Sequence, residues 1–346
     1  MSENHRPCVT VIIPVRDEAR SIGNCLDSIQ RQTFRDMDIL VIDGLSTDRT
    51  LDVIESRMAD DPRIRVISNH ERVVPTALNL GLAEARGTYL IRIDGHSVVT
   101  PDYVERIVGH LKSGAYAGVG GTKIAVGGSS VTSKVIASAL SSRFGVGGSE
   151  YHYAQEPASV DHIPFGAYPV ELLRDMGGWN ETLVANEDFE MDYRIRRSGG
   201  LLLLDPSMRI FWKSSQTLRD LGYQYQRYGR GKAAVARLHP QSLKLRHLFP
   251  VAVLVTLAGS GAAVVIVRKR WPLLLDLPYL AFLLAAYLDG PLRKSSRRSP
   301  WLVPAVLCTM EMSWAWGFLR AFWQKGPGGA NHDAYKRRDL SQDMPL

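Results

Sequence analysis

Cysteine is scarce in this sequence: three residues in 346, Cys8, Cys25 and Cys308. They are far apart, odd in number and without metal-ligand spacing, which excludes a disulfide framework and a structural zinc site. A long apolar run is missing from the N-terminus, where Met1-Ser-Glu-Asn-His-Arg-Pro7 leads straight into a strand pattern. No secretory signal peptide is therefore expected, and the N-terminal half is expected to stay in the cytosol. Acid is sparse after residue 204: residues 205–346 carry 21 Lys/Arg against 8 Asp/Glu (net +13), whereas residues 1–204 carry 21 against 27 (net −6). The basic residues flank apolar runs, the arrangement expected beside anionic lipid headgroups, so membrane lipids are the expected partner and nucleic acid is not.

What is present is a strand–helix alternation. Strand patterns at residues 9–13, 37–42, 64–67 and 88–93 alternate with helix patterns at 19–32, 50–58 and 75–85. This order predicts an α/β fold with a mostly parallel sheet covered on both faces, and ligands collect at the carboxyl ends of such strands. Residues 114–148, dense in Gly and Ser, read as mobile connections around one or two short elements. Order returns over 161–204, with a helical stretch from Asp188 to Ser198 and a strand at Leu201–Leu204. Three apolar segments follow at about 248–267, 273–288 and 302–323. The first has the length of a membrane span, the third is long enough to be one, and the second carries Asp276 and Pro278, so a kinked span, a re-entrant piece and an interfacial helix are all open. The implied division is a cytosolic domain over 1–240, a membrane-anchoring region over 241–324 with two or three apolar segments, and a polar tail over 325–346.

Four polar clusters could carry chemistry. Asp43-Gly44-Leu45-Ser46 follows a strand and leads into a helix, where Ser46 or Asp48 would also serve as an ordinary helix cap. Asp94-Gly95-His96 follows another strand; a carboxylate and an imidazole two residues apart can reach one divalent ion that bridges two phosphates, although a simple turn has the same residues. Glu187 and Asp188 open an acidic helix start, which the helix dipole alone would favour, yet a carboxylate there could act as general base. Gln224, Arg227 and Tyr228 combine charge and aromatic rings just before the apolar region, suited either to headgroup contact or to a departing diphosphate and a sugar face.

The ordered set Pro14-x-Arg16-Asp-Glu18, Asp43-Gly-x-Ser46-x-Asp48, Asn79-x-Gly81, Asp94-x-His96, Gly177-Gly-Trp179-Asn-Glu181, Glu187-Asp188 and Gln224-x-x-Arg227-Tyr228 resembles family 2 glycosyltransferases, over roughly residues 8–235. It is most similar to the membrane-associated enzymes of bacterial exopolysaccharide assembly, of the succinoglycan glucosyltransferase type. The resemblance implies a GT-A fold, a Rossmann-like mixed sheet, and inverting transfer from a nucleotide sugar, with UDP-hexose expected as donor. It implies that Pro14, Arg16, Glu18, Asp43, Ser46, Asn79 and Asp94 bind the nucleotide sugar. Asp94 and His96 would hold Mg2+ or Mn2+, Asp188 would be the base with Glu187 beside it, and Trp179, Gln224, Arg227 and Tyr228 would meet acceptor or diphosphate.

The expected acceptor is a polyprenyl-diphosphate-linked saccharide at the bacterial inner membrane, with other polysaccharide-assembly proteins as further partners. Competing readings are a polyprenyl-phosphate glycosyltransferase or processive synthase, and a non-catalytic membrane scaffold that keeps the fold. Two departures stand out: His96 replaces the second Asp of the family's Asp-x-Asp, and Tyr228 replaces the Trp of processive synthases.

Overall fold

The computed structural model describes residues 6–183 and 185–323; the tail over 325–346 lies outside the described residues. Two compact units are present, one of Met1–Ile124 with Ala154–Trp212, the other of Ala125–Tyr153 with the chain from Lys213 onward. The units thus do not divide at residue 240: the second takes in a segment from the middle of the chain.

The first unit is built on a nine-stranded sheet: β1 Val9–Val15, β2 Met37–Asp43, β3 Ile64–Ser68, β4 Tyr89–Arg92, β5 Ser97–Val99, β6 Gly118–Val126, β7 Ala158–Ser159, β8 Ala167–Pro169 and β9 Leu202–Lys213. The order is β3-β2-β1-β4-β8-β6-β9-β5, with β7 on β9. The first four strands are parallel, as expected. Beyond β4 the sheet turns antiparallel, because β8 runs against both β4 and β6. The expected connecting region therefore contains a nine-residue strand, β6, and the strand placed at 201–204 continues to Lys213.

Side-chain alternation explains the layering. Val9, Val11, Ile13, Ile39 and Val41 face one buried cluster, and Ile12, Leu40 and Ile42 face another. Period-two alternation with both faces apolar is what a sheet covered by helices requires. Helices α1 Ile22–Gln30 and α4 Tyr103–Lys112 supply Leu26, Ile29, Val104 and Ile107 to the first cluster. α3 Val74–Ala83, α7 Val170–Asp175 and α8 Glu187–Arg197 supply Leu78, Leu173 and Met191 to the second; α2 Thr50–Asp60 adds Ile54 to the first.

The second unit is helical: α5 Val131–Ala139, α6 Arg143–Val146, α9 Leu218–Leu238, α10 Phe249–Val267, α11 Leu277–Leu288, α12 Gly290–Ser295 and α13 Leu302–Trp323. Three helical stretches, Phe249–Val267, Trp271–Leu288 and Leu302–Trp323, are long and apolar enough to cross a membrane. Pro278 does not break the second stretch, because it sits in the first turn of α11, where its missing N–H has no partner to lose. Asp276 accepts from Ser260 Oγ at 2.9 Å, so the acid within this apolar unit has a hydrogen-bond donor.

Helices α9 and α13 touch backbone to backbone. A Cβ at Gly229 would lie 2.1 Å from the Trp314 carbonyl oxygen, and one at Gly317 would lie 2.1 Å from that of Gln226.

Candidate active site

The loops after β1 and β2 are stitched together. The register sets Val15 beside Asp43. Asp43 is 2% exposed, and its carboxylate accepts from Ser46 N at 3.0 Å and Ser46 Oγ at 2.5 Å. Ser46 Oγ in turn accepts from Asp17 N at 2.9 Å, and Asp17 Oδ1 accepts from Thr47 N at 2.7 Å. Glu18 N donates to Thr50 Oγ1 at 2.8 Å, and Ala19 N to Asp48 Oδ2 at 3.1 Å. Asp48 Oδ1 accepts from Thr50 N, the first residue of α2, at 2.9 Å, and both Ser46 and Asp48 also bind the opposite loop. Pro14 lies on β1 beside Ile42, and Arg16, more than a third exposed, leans on Asp17 at 3.8 Å.

Asp94-Gly95-His96 follows β4. A side chain at position 95 would meet Val15 Cγ1 at 2.5 Å, so the turn needs glycine to pass the end of β1. Asp94 Oδ1 accepts from Arg92 Nε at 2.9 Å. Burial alone would raise its carboxyl, but Arg92, helped by His96 and Lys123, outweighs that and holds it below the usual carboxylate range. His96 Nδ1 lies 3.2 Å from Glu18 Oε1, which brings the first and third loops together. Glu18 Oε2 accepts from Ser21 Oγ at 2.6 Å.

Arg92 is the residue that sequence reasoning missed. It is 5% exposed and its Nη1 donates to Glu187 Oε1 at 3.0 Å and to Asp188 Oδ1 at 2.6 Å while Nε holds Asp94. Its guanidinium also lies 5.4 Å from the centre of the Phe165 ring, and Lys123 Nζ lies 4.2 Å from the same ring and 4.7 Å from that of Trp212. One buried cation therefore gathers carboxylates from the β4 turn and from the start of α8, with Arg92 and Asp188 96 positions apart in the chain. The only signal in the sequence was a charged residue inside an apolar strand, Ile91-Arg92-Ile93.

Asp188 is pushed up to about 6, first by burial and further by Glu187 and Asp94, against the pull of Arg92 and His162. A carboxyl tuned to that range is suited to exchange protons near neutral pH.

Two of the expected ligand-binding residues have partners within the fold. Trp179 is buried in the second apolar cluster. Asn79 donates to the Trp179 carbonyl at 2.9 Å and to Glu181 at 2.8 Å and accepts from Trp179 N at 2.8 Å, so its amide braces the Gly177–Glu181 turn. In the second unit, Gln224 Nε2 donates to Tyr228 OH at 3.1 Å, and the Arg227 guanidinium lies 5.9 Å from the Tyr228 ring centre. The three side chains form one cluster on α9.

Residues 10–175 match the family model described as glycosyl transferase family 2. The chain carries a family 2 glycosyltransferase domain. This glycosyltransferase is similar to the succinoglycan biosynthesis protein ExoA of Rhizobium meliloti, 29% identical over 90% of this chain and 93% of the relative. It is also similar to a dolichyl N-acetyl-alpha-D-glucosaminyl phosphate 3-beta-D-2,3-diacetamido-2,3-dideoxy-beta-D-glucuronosyltransferase of Methanococcus voltae, 26% identical over 80% of this chain and 92% of the relative. Among solved structures, the mannosyltransferase PcManGT of Pyrobaculum calidifontis, determined with GDP-Man and Mn2+, shares the fold at a TM-score of 0.58 and 20% identity, covering 93% of this chain and 89% of that one. The fold is GT-A.

Proposed function

We propose that this glycosyltransferase moves a hexose, with inversion, from UDP-hexose to a polyprenyl-diphosphate-linked saccharide during exopolysaccharide assembly at the bacterial inner membrane. The observation that carries the reading is the joining of Asp94, Glu187 and Asp188 through Arg92. A donor-side acid and a candidate base on one guanidinium are what a single displacement needs. The three apolar stretches and the lipid-linked substrate named for the Methanococcus relative support an acceptor held in a membrane.

The donor set fits a divalent ion. No group of three or more His, Cys, Asp and Glu converges among the described residues, and Mg2+ or Mn2+ in nucleotide sites is held by one or two protein ligands with substrate phosphates and water. Asp94, kept ionised by Arg92, and His96 supply that pair; the Mn2+ of the PcManGT structure is in keeping with it. When bound, the ion would offset charge on the departing diphosphate. Pro14, Arg16, Glu18, Asp43 and Ser46 line the loops where the nucleoside is expected, with Asp43 acting chiefly by fixing the loop. Asp188 takes the proton of the acceptor hydroxyl, whose oxygen then bonds to the anomeric carbon as the bond to the nucleoside diphosphate breaks. Arg227 and Tyr228, with Gln224, are assigned to the acceptor or its phosphates.

Membranes bearing the full chain, incubated with labelled nucleotide sugars and lipid extract, test this reading. Transfer is expected from a UDP-hexose, to be abolished by EDTA and restored by Mn2+ or Mg2+. Asp188→Asn is expected to bind donor yet transfer nothing; transfer by that variant would remove Asp188 as the base. Asp94→Ala is expected to lose metal-dependent donor binding.

A further inference from the structure

Phe165 is the one aromatic residue, among the described residues, whose backbone is left-handed, with φ at 51°. A bulky side chain is sterically disfavoured there, and such a conformation persists where the surroundings over-determine it. Here a single carboxylate anchors the chain on both sides. Asp192, wholly buried on α8, accepts from Ile163 N at 2.9 Å and from Tyr168 OH at 2.7 Å. A Cβ at Gly166 would lie 2.2 Å from that same hydroxyl oxygen, so the chain between the anchors needs glycine to pass Tyr168. Phe165 stands between them, 5% exposed.

The strand order says where its ring goes. β8 lies between β4 and β6 and runs against both, with Ala167 the register partner of Ile91 and of Val119. The residues entering β8 therefore stand beside the ends at which β4 and β6 leave, which carry Arg92 and Lys123. The Phe165 ring centre is 5.4 Å from the Arg92 guanidinium and 4.2 Å from Lys123 Nζ. A ring face attracts a cation, the more so where water is excluded. Lys123 also meets the Trp212 ring, at 4.7 Å, whereas among the described residues Phe165 is the ring that faces Arg92. Arg92 in turn holds Asp94, Glu187 and Asp188 at 2.9, 3.0 and 2.6 Å. A circuit closes: α8 fixes the loop through Asp192, the loop presents the ring, the ring faces Arg92, and Arg92 returns to the first residues of α8. Nothing in the transfer chemistry described above uses Phe165.

We propose that Phe165 is a positioning residue for transfer: its ring face sets the Arg92 guanidinium so that one side chain holds the donor-side Asp94 and the base Asp188 together. The inference rests on the reading of Asp188 as base and of Asp94 as the donor-side acid. A guanidinium is planar and its donors lie in that plane, so a tilt of the plane disturbs all of its hydrogen bonds at once. An aliphatic side chain of similar bulk would fill the space without attracting the cation. The left-handed backbone at Phe165 is then the cost of delivering a ring to this point, and the Asp192 anchors hold it there.

The test grades the charge on the ring face while keeping the ring's outline, so the fold is not put at risk. Phe165 is replaced in the full chain by monofluoro- and by trifluorophenylalanine, and kcat is measured in membranes with labelled UDP-glucose or GDP-mannose as donor and lipid extract as acceptor. Fluorine draws electron density from the ring face and weakens its hold on a cation. The rate is expected to fall stepwise along the series, by about tenfold at the trifluoro ring, as misplacement of catalytic groups implies. A ring that merely packs would leave kcat level along the series, and that result would overturn the inference. The same stepwise fall is expected in Lys123→Met, which takes the second cation off the ring; a fall that vanishes in Lys123→Met would assign the effect to Lys123 and overturn the inference as well. Transfer by Asp188→Asn would bring down the assignment of the base and this inference with it, whereas a level series beside an inactive Asp188→Asn brings down the inference alone.

Discussion

Removing the Arg92 guanidinium would leave three carboxylates, Asp94, Glu187 and Asp188, without their shared partner in a site that is 5% exposed at its centre. Breaking a buried ion pair by deleting one partner costs about 3–5 kcal/mol. Arg92→Met is therefore expected to lower the unfolding midpoint of the full chain by several degrees, read by thermal shift in detergent. Arg92→Lys keeps the charge but cannot span three acceptors with a point ammonium, so kcat is expected to fall even where the protein folds. At Asp188, burial raises the folded-state value to about 6, above the ordinary carboxylate range. The protonated form is thus the one folding prefers: its contribution to stability is full at acid pH and fades as pH rises through about 6. Catalysis runs the other way, since the base must be ionised, so kcat/KM is expected to rise with pH across a midpoint near 6. At this scale Asp94, His96, Glu187 and Asp188 stood out in the sequence as candidates because each stands at the end or start of a regular element. The hydrogen bonds between Asn79 and Trp179 did not, because they join positions 100 residues apart, and no local pattern reports such a distance.

The parallel half of the sheet was legible for a physical reason: β1, β2, β3 and β4 are short apolar runs separated by helices, and parallel strands need such crossovers. β6 was not, since Gly118-Val-Gly-Gly121 looks like a loop when read alone. In the folded chain a side chain at Gly121 would stand 2.4 Å from the Met208 carbonyl oxygen, and one at Gly118 would stand 2.7 Å from the Tyr168 ring. Glycine there reflects crowding by neighbouring elements. The same crowding recurs at the α9–α13 seam, where Gly317→Ala would force its methyl against the Gln226 carbonyl. Overpacking of this kind costs about 1–3 kcal/mol, and the variant is expected to show faster proteolysis between α9 and α13 in detergent than the parent chain.

For the molecule as a whole, the charge asymmetry about residue 204 and the apolar segments pointed to a soluble-looking half and a lipid-facing half, and the second stretch, Trp271–Leu288, proves long and apolar enough to join the other two as a candidate span. Alkaline carbonate is expected to leave the full chain in the membrane pellet; release into the supernatant would count against three spans. The unit boundaries were not legible, because the second unit recruits Ala125–Tyr153 from between strands of the first. A non-catalytic scaffold is set aside by the family 2 domain and the named glycosyltransferase relatives.

The glycines that let α9 lie against α13 tie two things that a sequence would keep apart, namely the Gln224, Arg227 and Tyr228 cluster and the last hydrophobic helix. At Gly229 and Gly317 no Cβ separates the two backbones, so a displacement of that helix along its axis would press directly on the stretch of α9 that carries the cluster. The placement of a helix long and apolar enough to cross a membrane is thereby coupled to the placement of three polar side chains on α9.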